Sequence, residues 1–335
     1  MITGNEHLSL RDKLAAIYVV IPVYNSKAYL HRCIDSFRNS DFQNHHLICV
    51  DDGSTDGSGK LLDELASQDS RMTVIHQKNT GVSAARNAAL ELLYDSPECR
   101  NAFVTFTDSD DYVHPQYLSI LIDLIKKNKL DCCICSYERI YKSQSKNVVH
   151  YKDSEVIKSF SISHATYSFS RIWGSVFLIE DLKGLFFQHG LKWGEDCLFI
   201  VEYMYRKNRK VGISDLPLYK YVFTGNSAIC STSFEDYWTF IEDFEQLVRN
   251  LPPNPAEKPL LLRRTLRQAI HICYDFRFDK IKYAESQKKI KDLYYRNKDL
   301  VKLLPQKERI AIMLSVYSPA LYCCYRVYLK MRGMK

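Results

Sequence analysis

Glycine and proline are scarce, at 12 and 10 of 335 residues. That excludes collagen-like and low-complexity chains, and 46% hydrophobic with 25% charged residues excludes a disordered one. Long apolar runs are missing too. The longest, IAIMLSVYSPALYCCY at 310–325, has 16 residues, includes Pro319 and falls short of the roughly 20 that a bilayer span requires. The opening MITGNEHLSLRDKLAA has no apolar signal-peptide core, so export is not expected. With no such signal and no framework spacing, the 11 cysteines point to a reducing cytosol. No second Cys pair at zinc spacing accompanies Cys132-Cys133-Ile134-Cys135, which reads as a packed strand. The ten histidines form neither HxxxH nor HExxH.

Two familiar nucleotide loops are also absent from DDGSTDGSGK at 51–60. A Walker loop needs Gly where Ser54 stands and Ser or Thr where Leu61 stands, and a dinucleotide fingerprint needs Gly where Leu62 stands. Positive charge is missing from most of the chain. Residues 251–335 hold 19 Lys/Arg against 7 Asp/Glu, a net +12, so the other 250 carry −5 of the overall +7. A basic tail on a mildly acidic body argues against a nucleic-acid partner and fits either anionic lipid or a solvated helical surface. Aromatics are plentiful, with 23 Tyr, 16 Phe and 3 Trp available to stack on sugars or bases.

What is present is a β-α alternation. The runs IYVVI (17–21), LICV (47–50), Met72–Ile75, AFVTF (102–106) and CCIC (132–135) read as buried strands. Between them, Leu30, Cys33, Ile34 and Phe37 fall on one helical face behind a Ser26 cap. Leu61, Leu62 and Leu65 begin a second helix, and Val82, Ala85, Ala89 and Leu92 share a face of a third. A fourth runs from Pro115 to Lys127. Repeats of this length imply an α/β fold with a mostly parallel sheet, whose ligands bind at the carboxyl ends of its strands. Carboxylates gather at those ends: Asp51 and Asp52 after the second strand, and Asp108, Asp110 and Asp111 after the fourth. Single aspartates there are often turn formers, but DSDD packs charge that repels itself unless solvent or a cation neutralises it. Its hard oxygens suit Mg²⁺ or Mn²⁺, with substrate phosphates completing the shell.

VVIPVYN (19–25), VDDGSTDGS (50–58), GVSAARNAAL (81–90), TFTDSDD (105–111) and WGED (193–196) resemble, in order and spacing, the family-2 glycosyltransferases of the GT-A fold. The resemblance covers residues 17–230. It implies a sugar transfer from a nucleotide-sugar, UDP-linked, onto a saccharide hydroxyl with inversion, as in bacterial surface-polysaccharide assembly. The sugar would be a hexose or an N-acetylhexosamine. Pro22, Tyr24, Asp51 and Asp52 match positions that hold the donor nucleotide. Arg86 matches a basic contact in that pocket, and Asp108 and Asp110 match the DxD pair that binds Mn²⁺ or Mg²⁺. Asp196, or else Glu195, matches the base that takes the proton from the attacking hydroxyl. Trp193 is read either as a platform that stacks on an acceptor sugar or as a core residue, and Trp173 matches an aromatic near the acceptor, followed here by Gly174-Ser175 in place of the usual polar residues. One departure is Val222, which stands where family members often carry an Arg in the Tyr-rich segment.

The expected organisation is a catalytic domain at 1–250 and a basic helical extension at 251–335, joined at the LPPNPAEKP linker. The catalytic domain would divide into a nucleotide-binding half (17–136) and an acceptor half (137–250). Acceptor choice would lie in segment 137–170 and in the tail. The apolar run at 310–325 is read as an interfacial helix at the cytoplasmic membrane face, serving a polyprenyl-diphosphate-linked acceptor, or as a tail helix packed on the domain. The rival readings are a nucleotidyltransferase, and a catalytically inactive protein of the same fold that binds sugar-nucleotide or polysaccharide.

Overall fold

The computed structural model describes residues 16–141, 146–149, 171–207, 209–224, 232–252, 257–276 and 278–317. Most of segment 137–170 and the end of the 310–325 run lie outside the described residues. Those described up to Thr224 gather in one compact unit and those from Thr232 in a second.

The first unit is a sheet flanked by helices. Strands β1 (Ile17–Val23), β2 (His45–Asp51), β3 (Met72–His76) and β4 (Phe103–Phe106) alternate with helices α1 (Lys27–Arg38), α2 (Ser58–Ala66) and α3 (Val82–Asp95). Their order across the sheet is β3-β2-β1-β4, all parallel, as right-handed crossovers require. The chain thus steps outward from β1 to β3 and returns to the other side of β1 with β4. This reversal leaves a crevice at the strands' carboxyl ends, the usual ligand position in open α/β sheets. Pro22 marks it. A proline in a central strand would remove a ladder hydrogen bond, but the β1–β4 pairing stops at Val20, so Pro22 pairs only toward Val50.

Beyond β4 the sheet departs from the parallel expectation. Strand β6 (Cys132–Tyr141) does not lie next to β4. The later strand β8 (Ser175–Leu178) runs antiparallel between them. Strand β9 (Val211–Phe223) pairs parallel with β6, β5 (Tyr112–Val113) pairs antiparallel with β9, and β7 (Lys146–Val149) extends β6. The result is a mixed sheet, with α4 (Tyr117–Asn128), the single turn α5 (Ile179–Leu182) and α6 (Glu195–Arg206) completing the unit. The cysteines of CCIC are free and buried in β6, as a packed strand requires.

Two local expectations are corrected. Ser26 precedes α1 without capping it, because its hydroxyl donates to the Tyr24 carbonyl and accepts from Ser109 Oγ at 2.7 Å. The following turn does the capping, with Asp56 Oδ2 accepting from Lys27 N–H and Ser58 Oγ from Ser26 N–H. In α3 the buried face is turned from the expected one. Leu92 is exposed, and Ala85, Arg86, Asn87, Ala89, Leu90 and Leu93 are buried.

The second unit is helical: α7 (Phe234–Asn250), α8 (Lys258–Asp275), α9 (Lys280–Arg296), α10 (Lys298–Lys302) and α11 (Gln306–Tyr317). A Ser233–Asp236 capping box starts α7. Buried Glu245 of α7 accepts from Arg249, Arg296 and Asn297, tying α7 to the end of α9. Among the described residues no helix is long and apolar enough to cross a membrane.

Candidate functional site

Three loops leave the sheet at the crevice, after β1, β2 and β4. Asn25, at φ 49, takes a left-handed turn that Asn tolerates. It accepts from Thr55 N–H at 2.8 Å while its own N–H donates to Ser54 Oγ at 3.0 Å. Ser26 joins all three loops, its N–H donating to Ser58 Oγ after β2 and its hydroxyl accepting from Ser109 Oγ after β4. Tyr24 projects from this rim half exposed, beside buried Pro22.

Asp51 and Asp52 point in different directions. Asp51 accepts from Ser54 N–H and binds His76 Nδ1 at 3.0 Å. Gly59 makes room for it, since a Cβ there would meet Asp51 Oδ2 at 2.5 Å. His76 also binds Asp63 through Nε2, and these two carboxylates raise its pKa above the ordinary histidine value. Protonation of His76 therefore favours the folded state. The contribution is full below the unfolded pKa near 6.5 and is lost as pH rises through the raised folded value. In an NMR titration the His76 ring should show a midpoint above 6.5 that falls toward it in Asp63→Asn, and an unshifted midpoint would refute the bridge. Asp52 accepts from Gln77 Nε2 (2.7 Å), Thr80 N–H (2.9 Å) and Gly81 N–H (2.8 Å). It thereby fixes the start of α3.

One turn into α3, Arg86 is buried to 3% side-chain exposure and gathers three carboxylates. Its Nη2 donates to Asp108 Oδ1 at 3.0 Å, and its Nη1 donates to Glu195 Oε1 at 2.9 Å and to Asp196 Oδ1 at 2.8 Å. Burial alone would lower its pKa, but the three anions hold it well above the ordinary arginine value. Gly194, at φ 88, turns the chain so that Glu195 and Asp196 open α6, where the helix dipole favours negative charge. The second oxygen of Asp196 accepts from Ile172 N–H at 3.2 Å. Burial, helped by Glu195 and Asp108 and opposed by Arg86, pushes the Asp196 pKa up to about 7.

In the DSDD loop the aspartates differ in role. Asp111 is fully buried and accepts from Tyr219 Oη and Val222 N–H, both at 2.7 Å. Tyr219 Oη in turn accepts from Asp108 N–H at 3.3 Å, so Asp111 tethers the loop to β9. Arg32 donates to the Asp110 carbonyl at 2.7 Å. The Asp110 carboxyl is raised to about 6, by burial and then by the charge of Asp108. Two incompletely neutralised carboxylates fit a divalent cation, whose remaining ligands would be phosphate and water. Among the described residues no group of three or more His, Cys, Asp or Glu is arranged to hold a metal.

The aromatic candidates separate. Trp193 is half buried beside Glu195. Trp173 is only 8% exposed and lies flat against Tyr219 (4.7 Å between centroids) and Tyr221 (5.3 Å), which leaves a sugar little surface. Lys220 is paired with Glu138 at 3.0 Å. The sequence reading missed Asn87, whose amide clamps the backbone of Phe187, accepting from its N–H at 2.7 Å and donating to its carbonyl at 2.8 Å. Phe187 packs under the Arg86 guanidinium. A buried Arg-Asn pair interrupting an alanine-rich helix was the available signal.

The model of a family described as glycosyl transferase family 2 matches residues 18–189. Glycosyltransferase GlyA of Streptococcus pneumoniae is 30% identical over 217 residues, which are 61% of this chain and 30% of that protein. EpsJ of Bacillus subtilis, described as an uncharacterized glycosyltransferase, is 27% identical over 63% of this chain and 62% of its own length. The matched region thus spans less than two thirds of either relative. Among solved structures, S. aureus TarS 1–349 in complex with UDP-GlcNAc has a TM-score of 0.73 at 20% identity, covering 90% of this chain and 87% of that one. A mannosyltransferase of Pyrobaculum calidifontis with GDP-Man and Mn²⁺ has a TM-score of 0.53 at 16% identity, covering 90% of this chain and 84% of that one. These likenesses establish the GT-A-like fold.

Proposed function

The chain belongs to glycosyl transferase family 2, and on that premise we propose that it moves a sugar from a nucleotide-sugar to a saccharide hydroxyl with inversion. The observation carrying this reading is the convergence of Asp108, Glu195 and Asp196 on buried Arg86 at the crevice. A base with a pKa near 7 is half ionised at neutral pH, the balance general-base catalysis needs. Asp196 takes the acceptor hydroxyl's proton as that oxygen bonds to the anomeric carbon and the bond to the nucleoside diphosphate breaks. Asp108 and Asp110 would hold a divalent cation, which when bound supplies positive charge to the departing diphosphate. Arg86 keeps the base and the cation-binding carboxylate at fixed separation, and the zipped loops present Tyr24 to the nucleotide.

The donor is a uridine diphosphate hexose or N-acetylhexosamine, in keeping with the UDP-GlcNAc held by TarS. The acceptor is a lipid-linked saccharide, so the enzyme works peripherally at the cytoplasmic face of a membrane during surface-polysaccharide assembly. The test is a panel of UDP-, GDP- and TDP-sugars with and without Mn²⁺, reading released nucleotide. Alongside it, calorimetry should show Mn²⁺-dependent UDP binding that Asp110→Ala weakens by about tenfold or more, roughly 1.4 kcal/mol. Binding that ignores both metal and Asp110 would remove the DxD assignment. The inactive-binder reading draws on Val222 and on the Lys220–Glu138 pair, which leaves no free cation on β9 among the described residues for a diphosphate. UDP binding without turnover on any donor or acceptor would select it.

A further inference from the structure

The helical unit carries its own signal. Phe278 and Ile281 are 86% and 80% exposed, the highest values among the exposed large hydrophobic side chains described. Phe278 stands in the turn between α8 and α9, and Ile281 in the first turn of α9. Asp279 caps α9 there, its Oδ1 accepting from the N–H groups of Ile281 and Lys282 at 3.1 Å. The stretch FRFDKIK (276–282) holds Arg277, Lys280 and Lys282 against the single anion Asp279, a net +2. Ile281 and Tyr295 are fourteen residues apart, close to four helical turns, so they share a side of α9. Tyr295 Oη meets Tyr317 Oη of α11, where Ile310, Met313 and Tyr317 form a second exposed apolar stripe. Lys280, Lys288 and Lys291 are exposed along α9 together with Glu285 and Asp292, while Lys282 is half buried with its ammonium over the Phe234 and Phe276 rings.

We propose that this turn inserts Phe278 and Ile281 into the interface of an anionic lipid bilayer, with the flanking lysines meeting lipid headgroups. Two exposed apolar side chains flanking exposed Lys280, on a segment of net positive charge, match a surface whose interior is apolar and whose headgroups are negative. A second copy of the chain is a poor occupant, since two-fold pairing would bring Lys280 and Lys282 against their own equivalents. The net +12 over residues 251–335 adds attraction at longer range. This deepens the peripheral-membrane part of the proposed function, yet its observations lie wholly within the helical unit.

The experiment is sedimentation of the full chain with vesicles of phosphatidylcholine alone or mixed with phosphatidylglycerol, without sugar-nucleotide. Its result is therefore independent of the transferase reading. Pelleting is expected on the mixed vesicles only, and it should weaken with added salt. The pair Phe278→Ser and Ile281→Ser should lower the partition coefficient by about tenfold or more, measured well below the unfolding midpoint of both proteins. Lys280→Glu with Lys288→Glu, both exposed, should weaken binding to the mixed vesicles in the same direction. No pelleting on either vesicle overturns the proposal. So does pelleting that survives the Phe278/Ile281 pair, which would move the contact elsewhere. A dimer that the same pair dissolves, without vesicle binding, assigns the patch to a second copy instead.

Discussion

Asp196→Asn is expected to fold as the parent does and to transfer sugar at least about a hundredfold more slowly. The fold should hold because one guanidinium faces three carboxylates, and the change removes a charge that burial already penalises. An asparagine oxygen can still accept from Arg86. The chemistry fails because an amide cannot take the hydroxyl proton. In the parent, kcat/KM should rise with pH and level off above about 7, as Asp196 loses its proton. Glu195→Gln serves as the comparison. It also removes one carboxylate from Arg86 but leaves Asp196 in place, so the acid limb should persist. Full turnover in Asp196→Asn, or an acid limb that vanishes in Glu195→Gln instead, would move the base to Glu195.

Arg86→Met should lower stability by about 3–5 kcal/mol at neutral pH, the usual consequence of leaving buried charges without their partner. The sign of its pH dependence is diagnostic. Arg86 lowers the Asp196 pKa, so without it that pKa climbs further above the unfolded carboxylate value, and the folded state binds more protons than the unfolded one. Stability of the variant should therefore recover as pH falls, on a steeper slope than in the parent. Transfer should fall by at least about a hundredfold, since base and DxD loop lose their common anchor. Arg86→Lys should rescue little, because one ammonium cannot reproduce two guanidinium nitrogens aimed at different partners. Urea unfolding at two pH values decides the matter. A deficit of the same size at both would mean that the Arg86 contribution is packing against Phe187 and not charge.

Much of this was legible in the sequence because the first unit is built from local signals. The strands of the parallel half are short apolar runs, and the carboxylates stand where those runs stop. Glu195 and Asp196 open α6 directly behind Gly194, where an amphipathic pattern begins in the sequence. What was not legible depends on distant partners. Nothing local says that β8 enters between β4 and β6, or that Asp111 is spent on Tyr219 and Val222 more than a hundred residues away. Arg86 was matched to a basic contact in the donor pocket, and its three carboxylate partners come from two other loops. Trp173 matched an aromatic near the acceptor through the family resemblance, while the rings that cover it, Tyr219 and Tyr221, come from β9.

The late arrival of β8 has a consequence for how the protein is made. Strand β4, FVTF, is buried at every position, three of them apolar, and pairs on one side with β1. Its other edge is covered by residues that follow about 70 positions later in the chain. At ribosomal rates of about 5–20 residues per second, that edge stays open for roughly 4–14 s. During synthesis the nascent nucleotide-binding half is therefore a sheet with an unguarded apolar border, a natural client for a chaperone that recognises extended hydrophobic segments.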